Sequence, residues 1–267
     1  MDQLLKLLQS SAMLVVTVAL ASGRLYSHEW RWFKPSLTSQ VRVLQSQEAA
    51  ALLMEFCQEW KSVKGVGLEC AARSRGPAFS DITDARFHPQ GVVFGHFLGP
   101  KSEDADVSGF SSEGHPSRWG GTLLLSRRDG KWVPQWYKSA LITHSCQKVT
   151  LPDGREILLC EDEDGGMGHE LHYLYSVDLA HPAEFKDSVL AKAESIDDGC
   201  QVQLQGLDRV RWTEGEKSFS VNVRTLAFHS LATEPTCLGF PIRKRPPAIL
   251  TMRFAVTEEG LRKVEGG

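Results

Sequence analysis

One segment dictates its own strand register. Leu151-Pro152-Asp153-Gly154-Arg155 is an x-P-D-G-x turn, in which proline presets φ and glycine supplies a positive φ. Ala140–Thr150 and Glu156–Cys160 flank it with β-like runs. If Leu151 and Arg155 close the turn, opposed residue numbers add to 306 and Cys146 faces Cys160. Counting outward makes theirs a non-hydrogen-bonded pair, where Cα atoms lie about 4.5 Å apart. A disulfide spans roughly 4.4–6.8 Å. A two-residue turn would shift the sum to 307 and separate the cysteines. The turn therefore predicts an antiparallel hairpin with a Cys146–Cys160 bridge across it.

A bridge needs an oxidising compartment, and the start of the chain is consistent with export. Ala12–Ala21 is an apolar run of ten residues ending in Ala19-Leu20-Ala21. A membrane-spanning helix needs about 20 residues, whereas a signal-peptide core needs about 7–15 and a small-x-small exit. Residues 1–21 read as a cleaved signal peptide, with Ser22 as the mature N-terminus. The alternatives are an uncleaved anchor over residues 4–21, extended by Leu4, Leu5, Leu7 and Leu8, and a first core helix. The localisation expected is extracytoplasmic, periplasmic or secreted, with membrane contact only if the segment stays attached.

All six cysteines (Cys57, Cys70, Cys146, Cys160, Cys200 and Cys237) follow the leader. Six allow 15 connectivities. Cys57 with Cys70 and Cys200 with Cys237 close the shortest remaining loops, and nothing else favours that pairing. No C-x-x-C is present, which argues against a thioredoxin-type redox site and a zinc knuckle.

Residues 22–44 read as an extended lead and 45–267 as a single domain. Gln45–Lys61 is the strongest helix pattern: Ser46 stands at the cap, and Ala50, Leu53, Met54, Cys57 and Trp60 recur three or four apart. Ala183–Ser195 is a weaker one. Short β-like runs fill the rest: Leu68–Ala72, Gly91–Leu98, Thr122–Ser126, Lys131–Tyr137, Glu170–Leu179, Cys200–Trp212, Lys217–Phe228 and Ala248–Thr257. Arg128-Asp129-Gly130 reads as a D-G hairpin turn. Pro134 confines its strand to an edge or interrupts it. Residues 100–121 are rich in Ser, Gly and Asp without an apolar period and read as an exposed loop. The regular helix–strand alternation of a parallel α/β sheet is missing. The fold expected is mainly β (α+β): an antiparallel meander, or sandwich- or propeller-like sheets, with one or two helices.

Composition narrows function mostly by exclusion. At 267 residues and 42% hydrophobic the chain can bury a core, and a net charge of −3 gives no electrostatic hold on nucleic acid. Arg243-Lys244-Arg245-Pro246-Pro247 is a short connector, too small for a nucleic-acid face. Phosphate-loop and dinucleotide glycine signatures are absent, and Gly109-Phe110-Ser111-Ser112-Glu113 lacks the last glycine of a nucleophile elbow. Trp132 and Trp136 share a strand face by parity, as core or as a stacking platform for sugars.

One constellation remains. The hairpin register puts His144 opposite Asp162, inside the run Glu161-Asp162-Glu163-Asp164, and Gly165–Gly168 turns the chain back into His169. His144, Asp162, Asp164 and His169 form a candidate site for Ca²⁺ or Zn²⁺, set against the plain reading of a solvated acidic turn. His169 and His172 point to opposite faces of a strand, so they do not share a metal. The function expected is an exported, disulfide-stabilised binding or structural domain of unknown partner, without catalysis or a cofactor. The alternative is an exported metal-dependent hydrolase built on those four residues.

Overall fold

The computed structural model describes residues 37–264, except 65–66, 73–85, 112–119, 167–168, 183–187, 198–200, 214, 216, 231–240 and 244–247. The leader at 1–21, most of the lead at 22–44, and Cys200 and Cys237 lie outside the described residues. Among the described residues the fold is mainly β with one helix, built from antiparallel sheets. No helix among the described residues is long and apolar enough to cross a membrane.

The first sheet is a meander. It takes β2 (Cys57–Val63), β3 (Gly67–Ala72), β4 (Arg86–Gly95), β5 (Asp104–Ser111), β6 (Gly121–Arg128) and β7 (Lys131–Ser139) in sequence order, with the short β1 (Arg42–Val43) on β4. The second sheet continues with β8 (Cys146–Thr150), β9 (Glu156–Gly166), β10 (His169–Val177), β11 (Val189–Asp197) and β12 (Gln201–Leu207). It runs on through β14 (Ser218–Ser230), β16 (Ala248–Thr257) and β17 (Gly260–Val264), while β13 (Arg211–Trp212) and β15 (Pro241–Arg243) pair with β14. This ten-stranded sheet curls into a half-barrel.

Strand alternation sends each sheet's side chains to two different cores. The helix α1 (Ser46–Leu52) and the turn after it bury Ala49, Leu52, Leu53 and Phe56 with Phe87, Val107, Leu123 and Tyr137 on one face of the first sheet. The other face, through Val93 and Leu124, meets Cys146, Leu158, Cys160 and Tyr175 of the second sheet. Ile157, Leu159, Leu174, Ala191, Ala193, Val221, Val223 and Phe254 fill the concave side of the half-barrel. The two sheets thus stack along a seam, and the second also encloses a core of its own.

The turns obey their local chemistry. Asp129 (φ 51°) and Gly130 (φ 77°) adopt the left-handed pair of a I′ hairpin. Gly154 (φ 86°) sits in the Pro-Asp-Gly turn, closed by Leu151 N donating to Arg155 O at 2.8 Å. Pro134 lies on β7, the edge of the first sheet, where a missing N–H costs no ladder bond. Cys146 pairs with Cys160, and a disulfide joins them with Cα atoms 4.1 Å apart. A second disulfide links Cys57 to Cys70.

Four expectations need correction. The helix over 45–61 stops at Leu52, and Cys57–Val63 is strand β2, paired with β3 and bridged to it. Met54, one of the apolar positions that suggested a longer helix, is 65% exposed. The cap position is Gln45 rather than Ser46, with no side-chain cap bond. A seven-residue helix is too short to stand alone, so its buried face holds it. Over Val189–Ser195 the second helix pattern is instead strand β11, where Ala191 and Ala193, two apart, both enter the concave core, while 183–187 lie outside the described residues. The loop at 100–121 contains β5, a central strand whose seam face is polar yet buried: Asp104, Asp106 and Ser108 are each 1% exposed. Finally, Trp132 and Trp136 do not share a face. A register shift opposite Leu124/Leu125 makes Gln135 an extra residue, so Trp136 packs on the seam while Trp132 meets Phe94 and the helix-side core.

Candidate functional site

A cleft opens where β8 runs out and β9 does not. β8 begins at Cys146, while β9 continues to Gly166, paired with β10 all the way. The chain bends at His144-Ser145, where Glu161 N donates to Ser145 O at 2.9 Å. It then passes over the seam face, and the Tyr175 hydroxyl donates to Ile142 O. Beyond that bend lies a cavity of about 270 Å³ lined by His144, Ser145, Glu161, Asp162, Glu163, His172, Tyr173 and Leu207.

Parity sorts these residues. Asp162 and Tyr173 are opposed across β9 and β10 and face the seam with Cys160 and Tyr175. Glu163 and His172 are likewise opposed, on the concave face with Leu159 and Leu174. His172 Nδ1 stands 3.4 Å from Glu163 Oε1. The Phe110 ring lies 6.1 Å from that of His144, and Phe110 is 41% exposed. The cleft therefore straddles the sheet edge, with an imidazole and carboxylates on each side and apolar atoms from Tyr173 and Leu207.

Burial and charge compete over these groups. Desolvation lowers the His144 pKa, and the Asp162 carboxylate partly offsets this. Burial raises the carboxyl of nearby Glu170, Glu163 adds to the rise, and His172 opposes it. Deeper in the seam the balance is more extreme. Asp106 is pushed up to about 7 by burial, and neither oxygen has a partner within hydrogen-bond distance. The Thr143 hydroxyl is near enough to favour the anion slightly. That hydroxyl is committed to Thr122 at 3.1 Å, and Thr122 also donates to Leu141 O.

The four residues read from the sequence as a metal set divide two and two. His144 and Asp162 share the cleft. Asp164 instead accepts Gly165 N at 2.8 Å, and His169 stands 3.9 Å from Glu194 on β11. Among the described residues no three His, Cys, Asp or Glu side chains come together to hold a metal. Glu163, His172, Tyr173 and Leu207 were not in that set. Extending the alternation already read for His169 and His172 across the β9–β10 hairpin would have found Glu163 opposite His172, but Leu207 arrives from β12 and has no local signal.

No known family model matches the chain, and neither a curated protein nor a solved structure is similar to it. The cleft is the guide to function.

Proposed function

We propose that the chain is an exported, non-catalytic binding domain whose ligand site is the cleft at the open end of the β8–β9 hairpin. The observation that carries this reading is the Cys146–Cys160 disulfide immediately behind the cleft. Two intramolecular disulfides are compatible with an oxidising, extracytoplasmic setting. The second clamps β8 to β9 two residues from both His144 and Asp162, so the cleft wall is held before any ligand arrives. Pre-organisation of that kind lowers the entropic cost of binding. Carboxylates, imidazoles and apolar atoms together suit a ligand with positive charge and some apolar surface.

Two measurements test it. The full chain expressed with its own leader should be recovered outside the cytoplasm, beginning at Ser22, with Cys57, Cys70, Cys146 and Cys160 inert to alkylation. Recovery in the cytosol with Met1 intact and those four thiols reactive would overturn export. For the cleft, cationic organic compounds should raise the melting temperature of the oxidised protein, and Glu163→Gln should abolish the rise. A rise untouched by that substitution moves the ligand elsewhere.

A further inference from the structure

β9 outruns β8 by five residues, Asp162–Gly166, past its last paired position at Cys160 and the Glu161–Ser145 bond. In an antiparallel strand alternate residues turn their N–H and C=O groups to opposite sides. Glu161 bonds toward β8, so Glu163 and Gly165 face the same way, where no strand pairs with them among the described residues. Their amides are met instead by side chains: Glu163 N by Asp162 Oδ1 at 2.9 Å, Gly165 N by Asp164 Oδ1 at 2.8 Å. The two carboxylates occupy the places a neighbouring strand's carbonyls would take. An unpaired sheet edge is a ready template for another chain.

We propose that Asp162–Gly166 is a docking edge for an extended, lysine- or arginine-bearing segment of a partner protein, which adds to the half-barrel in line with β8. This rests on the cleft being the binding site and names what enters it. Strand addition draws affinity from main-chain hydrogen bonds and specificity from pockets for alternate side chains. Both are here. The amides of Glu163 and Gly165 supply donors once Asp162 and Asp164 swing aside. The cleft flanks that line, offering Glu163, His172 and Leu207 on one face and His144, Asp162 and Tyr173 on the other.

Charge selects the occupant. Glu161-Asp162-Glu163-Asp164 presents consecutive carboxylates along the edge, and an incoming lysine or arginine gives the displaced Asp162 and Asp164 a new counter-charge. An acidic segment meets like charge, and so does a second copy of this same edge, which argues for a basic partner over self-pairing. Until a partner arrives, the two capped amides keep the edge from pairing at random.

Fluorescence anisotropy with the oxidised full chain tests this, using four labelled eight-residue peptides. One alternates Lys and Val, one alternates Glu and Val, and two are the Lys/Val peptide N-methylated at alternate amides in either register. The plain Lys/Val peptide should bind, the Glu/Val peptide at least about tenfold more weakly, and at least one N-methylated register similarly weakly with its charge unchanged. Glu163→Pro, which removes an outward donor as well as the carboxylate but no β10 ladder bond, should weaken the Lys/Val peptide further than Glu163→Gln, which removes the charge alone. Equal binding of both N-methylated peptides overturns strand addition, whatever the variant does. If no peptide binds while cationic compounds still shift melting in a Glu163-dependent way, this proposal falls and the cleft reading stands; loss of both removes both.

Discussion

The carboxylates of the two sheets stand in opposite situations. In the first sheet Asp104 and Asp106 point from β5 into the seam and are 1% exposed. Asp104 accepts Leu98 N at 2.8 Å and the Ser102 hydroxyl, whereas Asp106 has no partner within hydrogen-bond distance. In the second sheet Glu161–Asp164 lie along a strand edge beside a cleft, with Asp162 and Asp164 bonded to backbone amides. Desolvation governs Asp106, whereas backbone amides meet Asp162 and Asp164. On the proposed reading the rim carboxylates meet the ligand, while Asp106 in the seam makes the packing of the sheets depend on pH.

The sharpest way to break that contrast is to titrate Asp106. Burial pushes its folded pKa to about 7 from an ordinary 3.8. Between those values the unfolded chain has released its proton and the folded chain has not. Stability therefore falls as pH climbs from about 4 to about 7 and is level above, with a total loss of up to about 4 kcal/mol. Asp106→Asn stays uncharged and should flatten this slope in urea unfolding measured at pH 5 and pH 8. A slope unchanged by the substitution would show that the seam admits water.

Next come the two disulfides among the described residues, one in each sheet. Their separations, 13 and 14 residues, are nearly equal, so the chain-entropy model assigns each about 3 kcal/mol. Paired Cys→Ala substitutions should lower the urea midpoint by similar amounts. Function should separate them: only loss of Cys146–Cys160 should weaken ligand binding, since only that bridge backs the cleft. Equal loss of binding from both would mean the cleft senses global stability alone. A smaller effect is expected at the closed end of the same hairpin. Arg155 donates to Asp153 at 2.8 Å and to Asp178 at 3.2 Å. Arg155→Ala should cost about 1–2 kcal/mol in the same assay, with cleft binding retained.

The same division separates what was legible in the sequence from what was not. The β8–β9 hairpin was readable because a turn with its own dihedral requirements set the register, and register placed Cys146 against Cys160 and His144 beside Asp162. β5 was hidden because its seam face carries Asp104, Asp106 and Ser108, a pattern that resembles a solvent-exposed loop until a second sheet covers it. The stretch after Leu52 carried helical spacing, yet pairing with β3 and the Cys57–Cys70 bridge outweighed it. Gln135 reversed the relation of two tryptophans through a bulge that parity counting does not anticipate. The concave half of the cleft depends on the half-barrel's curl, which brings Leu207 of β12 to His172 of β10. Curl is a property of ten strands together.

The smallest effect tests the rim most directly. Burial holds the His144 pKa below the ordinary 6.5, and Asp162 pulls it back up. Asp162→Asn should therefore lower the His144 pKa further, read from the imidazole Cε1–H resonance across a pH series. The substitution leaves the local backbone bond in place, because asparagine keeps an Oδ1 that can accept Glu163 N at the mouth of the cleft. The stability slope has the opposite sign to that of Asp106. As pH falls below 6.5, an unfolded histidine takes up a proton that buried His144 resists, so stability is lost toward acid rather than toward base. In Asp106→Asn protein the alkaline loss should vanish and this weaker acid-side loss should remain. An Asp162→Asn resonance that titrates unchanged or higher would place the two groups too far apart to interact, and would separate His144 from the acidic edge that flanks the cleft.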